Sequence, residues 1–389
     1  EGGKAPKNRC ICSPNNWHKY VLGPVTYKLE KIFKQFKGYC GGKNWDQLQK
    51  IYKVNETCGY TTTIQLDGSG FDRTQHFELK KIVDHRIYDA IAKTVHHVPK
   101  YVFDFYAKPE WRKIKFVNTV KLSSGKVQKQ NSGFILQRGK TFSGSMDTTL
   151  MNTLRMALYN RFTLECIAGV RPWEYDLLCK GDDSAVFMKP YVLEKSLAAY
   201  ALTFSTKKTG VHGLGQIAKY IKVGDITDID FCSTQTYRDF EGNYHITRKW
   251  DRFLTLTAWS RKALGLSNEE LKVYKRSLYE SNLAWCKGIT MFEEYNNYLY
   301  EDITGLVVKL KSGARKVFQE TDSWNSIDML QYFDKDEMHA YYTRFSKTQN
   351  NDFAHQMYMQ YKHGIGLDQL VRYTYQMQTG QFDDAIFSF

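Results

Sequence analysis

Hydrophobic residues along the chain fall into two spacings, and the switches between them mark its elements. Leu29, Ile32, Phe33 and Phe36 recur at three- and four-residue steps and predict a helix over 26–36. Lys28, Lys31, Lys34 and Lys37 lie along a neighbouring face, which either touches phosphates or is a solvated surface. A short helix resumes over 45–52. The β-branched run at 61–64 predicts a strand that ends at Asp67 in a glycine-rich turn. Asp72 then opens a helix with Leu79, Ile82, Val83, Ile87 and Ile91 on one face, and Pro99 marks a break.

Period two returns over 113–130 as a hairpin turning at Ser123-Ser124-Gly125-Lys126. A loop punctuated by Gly133, Gly139 and Gly144, and carrying Arg138 and Lys140, leads to a helix with Leu150, Leu154, Ala157 and Leu158 at helical spacing. Residues 174–179 and 184–188 read as two strands joined at Gly181. A helix over 193–201 follows, then a turn with Lys207, Lys208, Gly210, Gly213 and Gly215. A strand over 229–237 turns at Gly242 toward Ile246, Arg248 and Lys249. Beyond Arg252 the pattern is helical, with candidates at 252–264, 268–287, 291–300, 323–333 and 337–345.

Composition narrows the class. The 389 residues suffice for one large or two ordinary domains. A net charge of +14 suits a polyanionic partner, although a basic surface alone gives the same figure. Twenty-seven Tyr and 23 Phe exclude a disordered chain. The eight cysteines form no paired CxxC modules and read as free thiols of a reducing compartment. His96 and His97 lack companions at metal spacing, which argues against zinc. No apolar run approaches the length of a membrane span. The chain opens Glu-Gly-Gly-Lys, without a signal peptide or an initiator Met, so a processed product or an excised piece is expected.

The candidate chemistry lies in three places. Asp182 and Asp183 sit side by side on a hairpin turn, where two carboxylates call for a neutralising cation. Gly-Asp-Asp is also a serviceable surface turn, and what raises it is Asp67 at another strand end. Together they could clamp two divalent ions, as phosphoryl transfer between nucleotides requires. Thr148 and Asn152, four apart, share a helix face behind the Ser143-Gly144 loop. They are either an ordinary cap and a surface amide, or groups that read sugar hydroxyls.

In order, Asp67-x4-Asp72, then Ser143-Gly144-x3-Thr148-x3-Asn152, then Gly181-Asp182-Asp183 resemble motifs A, B and C of the RNA-dependent RNA polymerases of positive-strand RNA viruses, with the tombusvirus-like and flavivirus-like groups nearest. Lys207 or Lys208 resembles the motif D lysine, Phe231-Cys232-Ser233 the motif E hairpin, and Lys7 and Arg9 the end of basic motif F.

The resemblance implies an α+β right-hand polymerase with a ferredoxin-like palm of antiparallel sheet plus helices, partial fingers and a mostly helical thumb. Partial fingers would span 1–59, palm 60–98 and 143–250, a fingers insertion 99–142, and thumb 251–389. The resemblance also implies template-directed RNA synthesis from NTPs with two Mg²⁺, or Mn²⁺ in their place, held by Asp67, Gly68, Asp182 and Asp183. Lys207 or Lys208 would protonate pyrophosphate. Lys7, Arg9, Asp72, Ser143, Gly144, Thr148 and Asn152 would bind the nucleotide. Lys28, Lys31, Lys34, Arg138, Lys140, Arg248 and Lys249 would touch RNA.

Expected partners are RNA template, nascent RNA, NTPs and other viral or host replication proteins, at a membrane-associated replication complex in the host cytoplasm. The family's long fingers before motif F are nearly absent, so the alternative is a catalytically incomplete RNA-binding subunit. A reverse transcriptase would usually carry an aromatic residue near Lys180 and Gly181.

Overall fold

The computed structural model describes residues 16–94, 96, 99–107, 112–121, 127–137, 141, 144–206, 208–238 and 242–249, with isolated positions between 267 and 296. Two units divide the chain, Glu1–Leu48 with Val54–Ile226, and Gln49–Lys53 with Thr227–Phe389. The first begins with helix α1 (Asn16–Phe33) and helix α2 (Trp45–Thr57), whose residues 49–53 count with the second unit. Strand β1 (Thr62–Gly68), helices α3 (Phe71–Thr74), α4 (Phe77–Lys80), α5 (Arg86–Thr94) and α6 (Lys100–Ala107), and the hairpin β2 (Arg112–Lys121) and β3 (Val127–Gln137) follow. Helix α7 (Thr148–Arg161) leads to strands β4 (Tyr175–Lys180) and β5 (Asp183–Met188), helix α8 (Leu193–Thr203), and strands β6 (Phe204–Ser205) and β7 (Gln216–Asp225). In the second unit, strands β8 (Thr234–Arg238) and β9 (Tyr244–Arg248) form an antiparallel pair.

The main sheet runs β4-β5-β1-β7-β6, antiparallel except for the short β6–β7 pairing. Its four main strands follow a β-α-β-β-α-β connection, with β1 between β5 and β7. Residues 63–66 of β1 are all buried, so the strand is covered on both faces. On one face Ile64 and Leu66 pack with Phe71, Met156, Tyr159, Leu164, Val186 and Tyr200. A second core joins Leu22, Tyr88, Phe103, Leu150 and Met151 of the helical layer. The edge of β4 is covered by residues 38–40: the Cys40 N–H donates to the Cys179 carbonyl and the Cys179 N–H to that of Gly38. A Cβ on Gly38 would stand 2.6 Å from the Leu177 carbonyl oxygen, so this approach requires glycine.

Several expectations need correction. Helix α1 starts ten residues before the expected 26 and ends at Phe33. Ile32 and Phe36 are exposed, and only Leu29 and Phe33 of the expected stripe pack inward. The helix expected after Asp72 is broken. Gln75 leaves the helix and its side-chain amide donates to the Phe71 carbonyl, taking over a bond that the helix would make. A π turn at Lys81–His85 then shifts the helix face, burying Val83 while Ile82 points to solvent.

Gly133 lies inside β3 rather than in a loop. Leu158 is exposed, whereas the polar Asn152, Thr153, Arg155 and Asn160 of the same helix are buried. The strand expected over 229–237 begins only at Thr234, because Cys232 and Ser233 take left-handed backbone angles (φ 56° and 61°). The long strand β7 was not expected at all. The helical candidates at 252–264, 323–333 and 337–345 lie outside the described residues, as does most of 268–287 and 291–300.

Candidate active site

The sheet brings the charged residues into one row. Lys180 on β4 pairs with Asp183 on β5, and Asp183 pairs in turn with Asp67 on β1. Residues directly opposite share a face with Cβ atoms about 5 Å apart, and like charges so placed repel. The β4–β5 hairpin turns on two residues, Gly181 and Asp182, with Gly181 at φ 64°, a left-handed angle that glycine adopts without strain. Asp182 therefore stands at the tip beside the Asp67–Asp183 pair.

On the other side of β1 the register slips between Asp67 and Gly68, which face Tyr220 and Ala218. The residue left over by this bulge is Lys219, and its Nζ lies 2.6 Å from Asp67 Oδ2. The lysine side chain is 61% exposed and the aspartate 16%.

A second set of polar groups is held from within. Asn152 Nδ2 donates to Asp72 Oδ1 at 2.6 Å, joining two candidate nucleotide-binding residues. Asn152 Oδ1 accepts from Arg155 Nη2 at 2.9 Å, so the amide is held at both ends. Arg155 is 1% exposed; its guanidinium also donates to the Met151 carbonyl and Thr141 Oγ1, and its Nε lies 3.7 Å from Asp84 Oδ1. Burial pushes the Asp84 carboxyl above its usual range, while Arg155 and Lys80 pull it down.

Behind Asp72, the buried Thr74, Gln75, Tyr159 and Gln216 form a closed hydrogen-bond group. Helix α7 also holds the hairpin tip, since the Gly181 N–H donates to Thr153 Oγ1 at 2.8 Å.

The other candidate positions are more scattered. Gly68 is half-buried beside Phe71, and Gly144 is exposed at φ 100°. Thr148 is half-buried at the start of α7, after a turn in which Ser145 and Tyr88 hydroxyls both donate to the Asp147 carboxylate. Lys208 is exposed on a turn closed by Thr206 and Thr209, and no contact joins it to Asp67 among the described residues. Lys28 and Lys31 are exposed, with Lys31 over the Tyr27 ring at 4.6 Å, and Lys34 is half-buried. Lys37, in the same row, pairs with Asp176 at 2.7 Å. In the second unit Arg248 is half-buried and Lys249 pairs with Asp230. Lys7, Arg9, Arg138, Lys140, Ser143 and Lys207 lie outside the described residues.

Sequence reasoning missed Lys219, Arg155 and Thr153. For Lys219 the available signal was the run of β-branched and aromatic residues Ile217, Tyr220, Ile221 and Val223 around it. Among the described residues no group of three or more His, Cys, Asp or Glu is arranged to hold a metal ion. The donor type is nevertheless that of a hard cation: two carboxylates at paired positions of neighbouring strands, with an ammonium against one of them. Asp67 and Asp183 are the residues of this row that would hold such an ion.

Among the described residues no helix is long and apolar enough to cross a membrane. A family model described as viral RNA-dependent RNA polymerase matches residues 42–304, and no curated protein matches the chain.

Proposed function

The chain belongs to the viral RNA-dependent RNA polymerases, and from that premise we propose that Asp67, Asp182 and Asp183 hold the two divalent ions of its nucleotidyl transfer. The observation that carries the reading is the direct pairing of Asp67 with Asp183, with Asp182 at the adjoining tip. The β-α-β-β-α-β sheet around them supports a ferredoxin-like palm; in this reading 1–59 are partial fingers and 99–142 a fingers insertion. Residues 251–389 would then be the thumb. Bound Mg²⁺ supplies activation of the 3′-hydroxyl and stabilisation of the pentavalent phosphorus and leaving pyrophosphate.

Asp72 and Asn152, held as a pair, bind the ribose 2′-hydroxyl, and a site built for a hydroxyl rejects the analogue that lacks it. Thr148, Ser143 and Gly144, the other motif B positions, join Asp72 and Asn152 in binding the nucleotide. Lys7 and Arg9 neutralise the triphosphate, and Lys207 or Lys208 donates a proton to pyrophosphate. The exposed Lys28 and Lys31, with Lys34, Arg138, Lys140, Arg248 and Lys249, track RNA phosphates by charge. Replication-protein partners and a membrane-associated complex in the host cytoplasm complete the reading.

Primer extension on a short RNA template with Mg²⁺ tests it. Template-matched extension with NTPs, weak with dNTPs and lost in Asp182→Ala, is the expected result. Extension that persists in Asp182→Ala, or that prefers dNTPs, overturns the assignment.

A further inference from the structure

The β1–β7 bulge has no role in the chemistry so far assigned, yet it brings a lysine into contact with Asp67. Asp67 faces Tyr220, and if that register ran on unbroken Lys219 would pair with Gly68 and point to the face opposite Asp67. With it, Lys219 reaches the carboxylate at 2.6 Å on a stem that remains largely in solvent. The same ammonium lies 5.6 Å from the Tyr220 ring centroid, a second resting place along its own strand. With its ammonium partner largely in solvent the pair is weak, so a divalent ion can displace it. A lysine stem of four carbons can then swing without moving the strand.

We propose that Lys219 is a place-holding cation: it neutralises Asp67 while the site is empty, yields it to the divalent ion, and then pairs with the polyphosphate that arrives with that ion. The inference rests on Asp67 being a metal ligand. Lys219 is thus a positioning residue that makes ion loading an exchange and couples it to nucleotide entry. Alone, the ion must displace an ammonium that has no new anion to join. With a polyphosphate present, the released ammonium gains a partner.

The test is Mn²⁺ binding to the full chain without RNA, followed by the paramagnetic resonance of free Mn²⁺, with and without inorganic pyrophosphate. Lys219→Gln should bind Mn²⁺ about fivefold more tightly than wild type in the absence of pyrophosphate. That gap should narrow or invert when pyrophosphate is added. Lys222→Gln removes the same charge farther along β7 and should shift affinity less than about twofold. Lys219→Arg, which retains both charge and pairing, should bind no more tightly than wild type.

Equal affinity of wild type and Lys219→Gln overturns the proposal, as does an equal gain in Lys222→Gln or a gap that ignores pyrophosphate. A wild type that binds no Mn²⁺ overturns both this proposal and the metal reading. Binding that is lost in Asp67→Asn but indifferent to Lys219 overturns the lysine's role alone.

Discussion

The two ends of the candidate site are built in opposite ways. At the Asp67 end the charges meet across strands near the surface, and the contact that steadies Asp67 comes from a lysine mostly in water. At the Asp72 end the chain of contacts runs inward, from Asp72 to Asn152 to Arg155, and ends at a buried carboxyl on a π turn. A pair in solvent exchanges partners at small cost, whereas a buried charge left alone is expensive. Ion loading needs the first property. Discrimination between two sugars that differ by one hydroxyl needs the second, because only a donor and acceptor fixed in advance penalise the missing group.

The most severe way to break the exposed end is to remove its carboxylates. Asp67→Ala or Asp182→Ala should abolish extension while leaving most RNA binding and the melting temperature intact. Retained fold with lost turnover, measured by primer extension beside a thermal melt, is the expected pattern. A large fall in melting temperature would mean that Asp67 is structural and erase the contrast between the two ends.

The buried end should fail in the other order. Arg155→Met removes the guanidinium from Asp84, Asn152 and Thr141 together, and should cost about 3–5 kcal/mol of stability in denaturant titration. A companion change, Asp84→Leu, should recover part of that loss in the double variant, as coupled neighbours do. The pH response sharpens the assignment. Burial raises the folded-state pKa of Asp84 above its ordinary value. The folded state therefore holds the proton longer, and this group's contribution to stability is lost as pH rises from the ordinary carboxylate range through the raised value. Asp84→Asn should flatten the melting temperature over that window, and an unchanged slope would remove Asp84 from the account.

Selectivity is the next effect in size. Asn152→Ala leaves Asp72 without its amide and should reduce the preference for NTPs over dNTPs about tenfold or more, read as the ratio of kcat/KM values. An unchanged ratio would detach this pair from sugar recognition.

How far the sequence carries the reader differs in the same way between the two ends. The Gly181-Asp182 turn, the strand ending near Asp67 and the helix carrying Thr148 and Asn152 are local patterns, visible from glycine, β-branching and four-residue spacing. Strand β7 was hidden because Lys219 and Lys222 interrupt its apolar run and three glycines precede it; only its pairing with β1 explains both. Arg155 was hidden for a stronger reason. An arginine on a helix reads as solvent-facing, and its burial depends on Asp84 and Thr141 arriving from other segments. The broken helix after Asp72 escaped notice likewise, since Gln75 leaves the helix for Gln216 and Tyr159, far along the chain. The carboxylates at the strand ends were legible from local pattern, and the cations that pair with or position them, Lys219 and Arg155, were not.

Thr153 links the two ends and gives the smallest effect. Its hydroxyl donates to the Thr149 carbonyl and accepts from the Gly181 N–H, so the buried helix sets the height of the exposed hairpin tip. Thr153→Val keeps the shape but leaves that N–H without its acceptor, at a cost of about 1–3 kcal/mol. If the tip is positioned from within, kcat should fall severalfold with little change in nucleotide KM or in the NTP-to-dNTP ratio, because Asp182 shifts while the Asp72–Asn152 pair stays in place. Thr153→Ser, which restores the hydroxyl, should recover the rate. A loss of stability with no change in kcat would show instead that the exposed end keeps its geometry without help from the buried one.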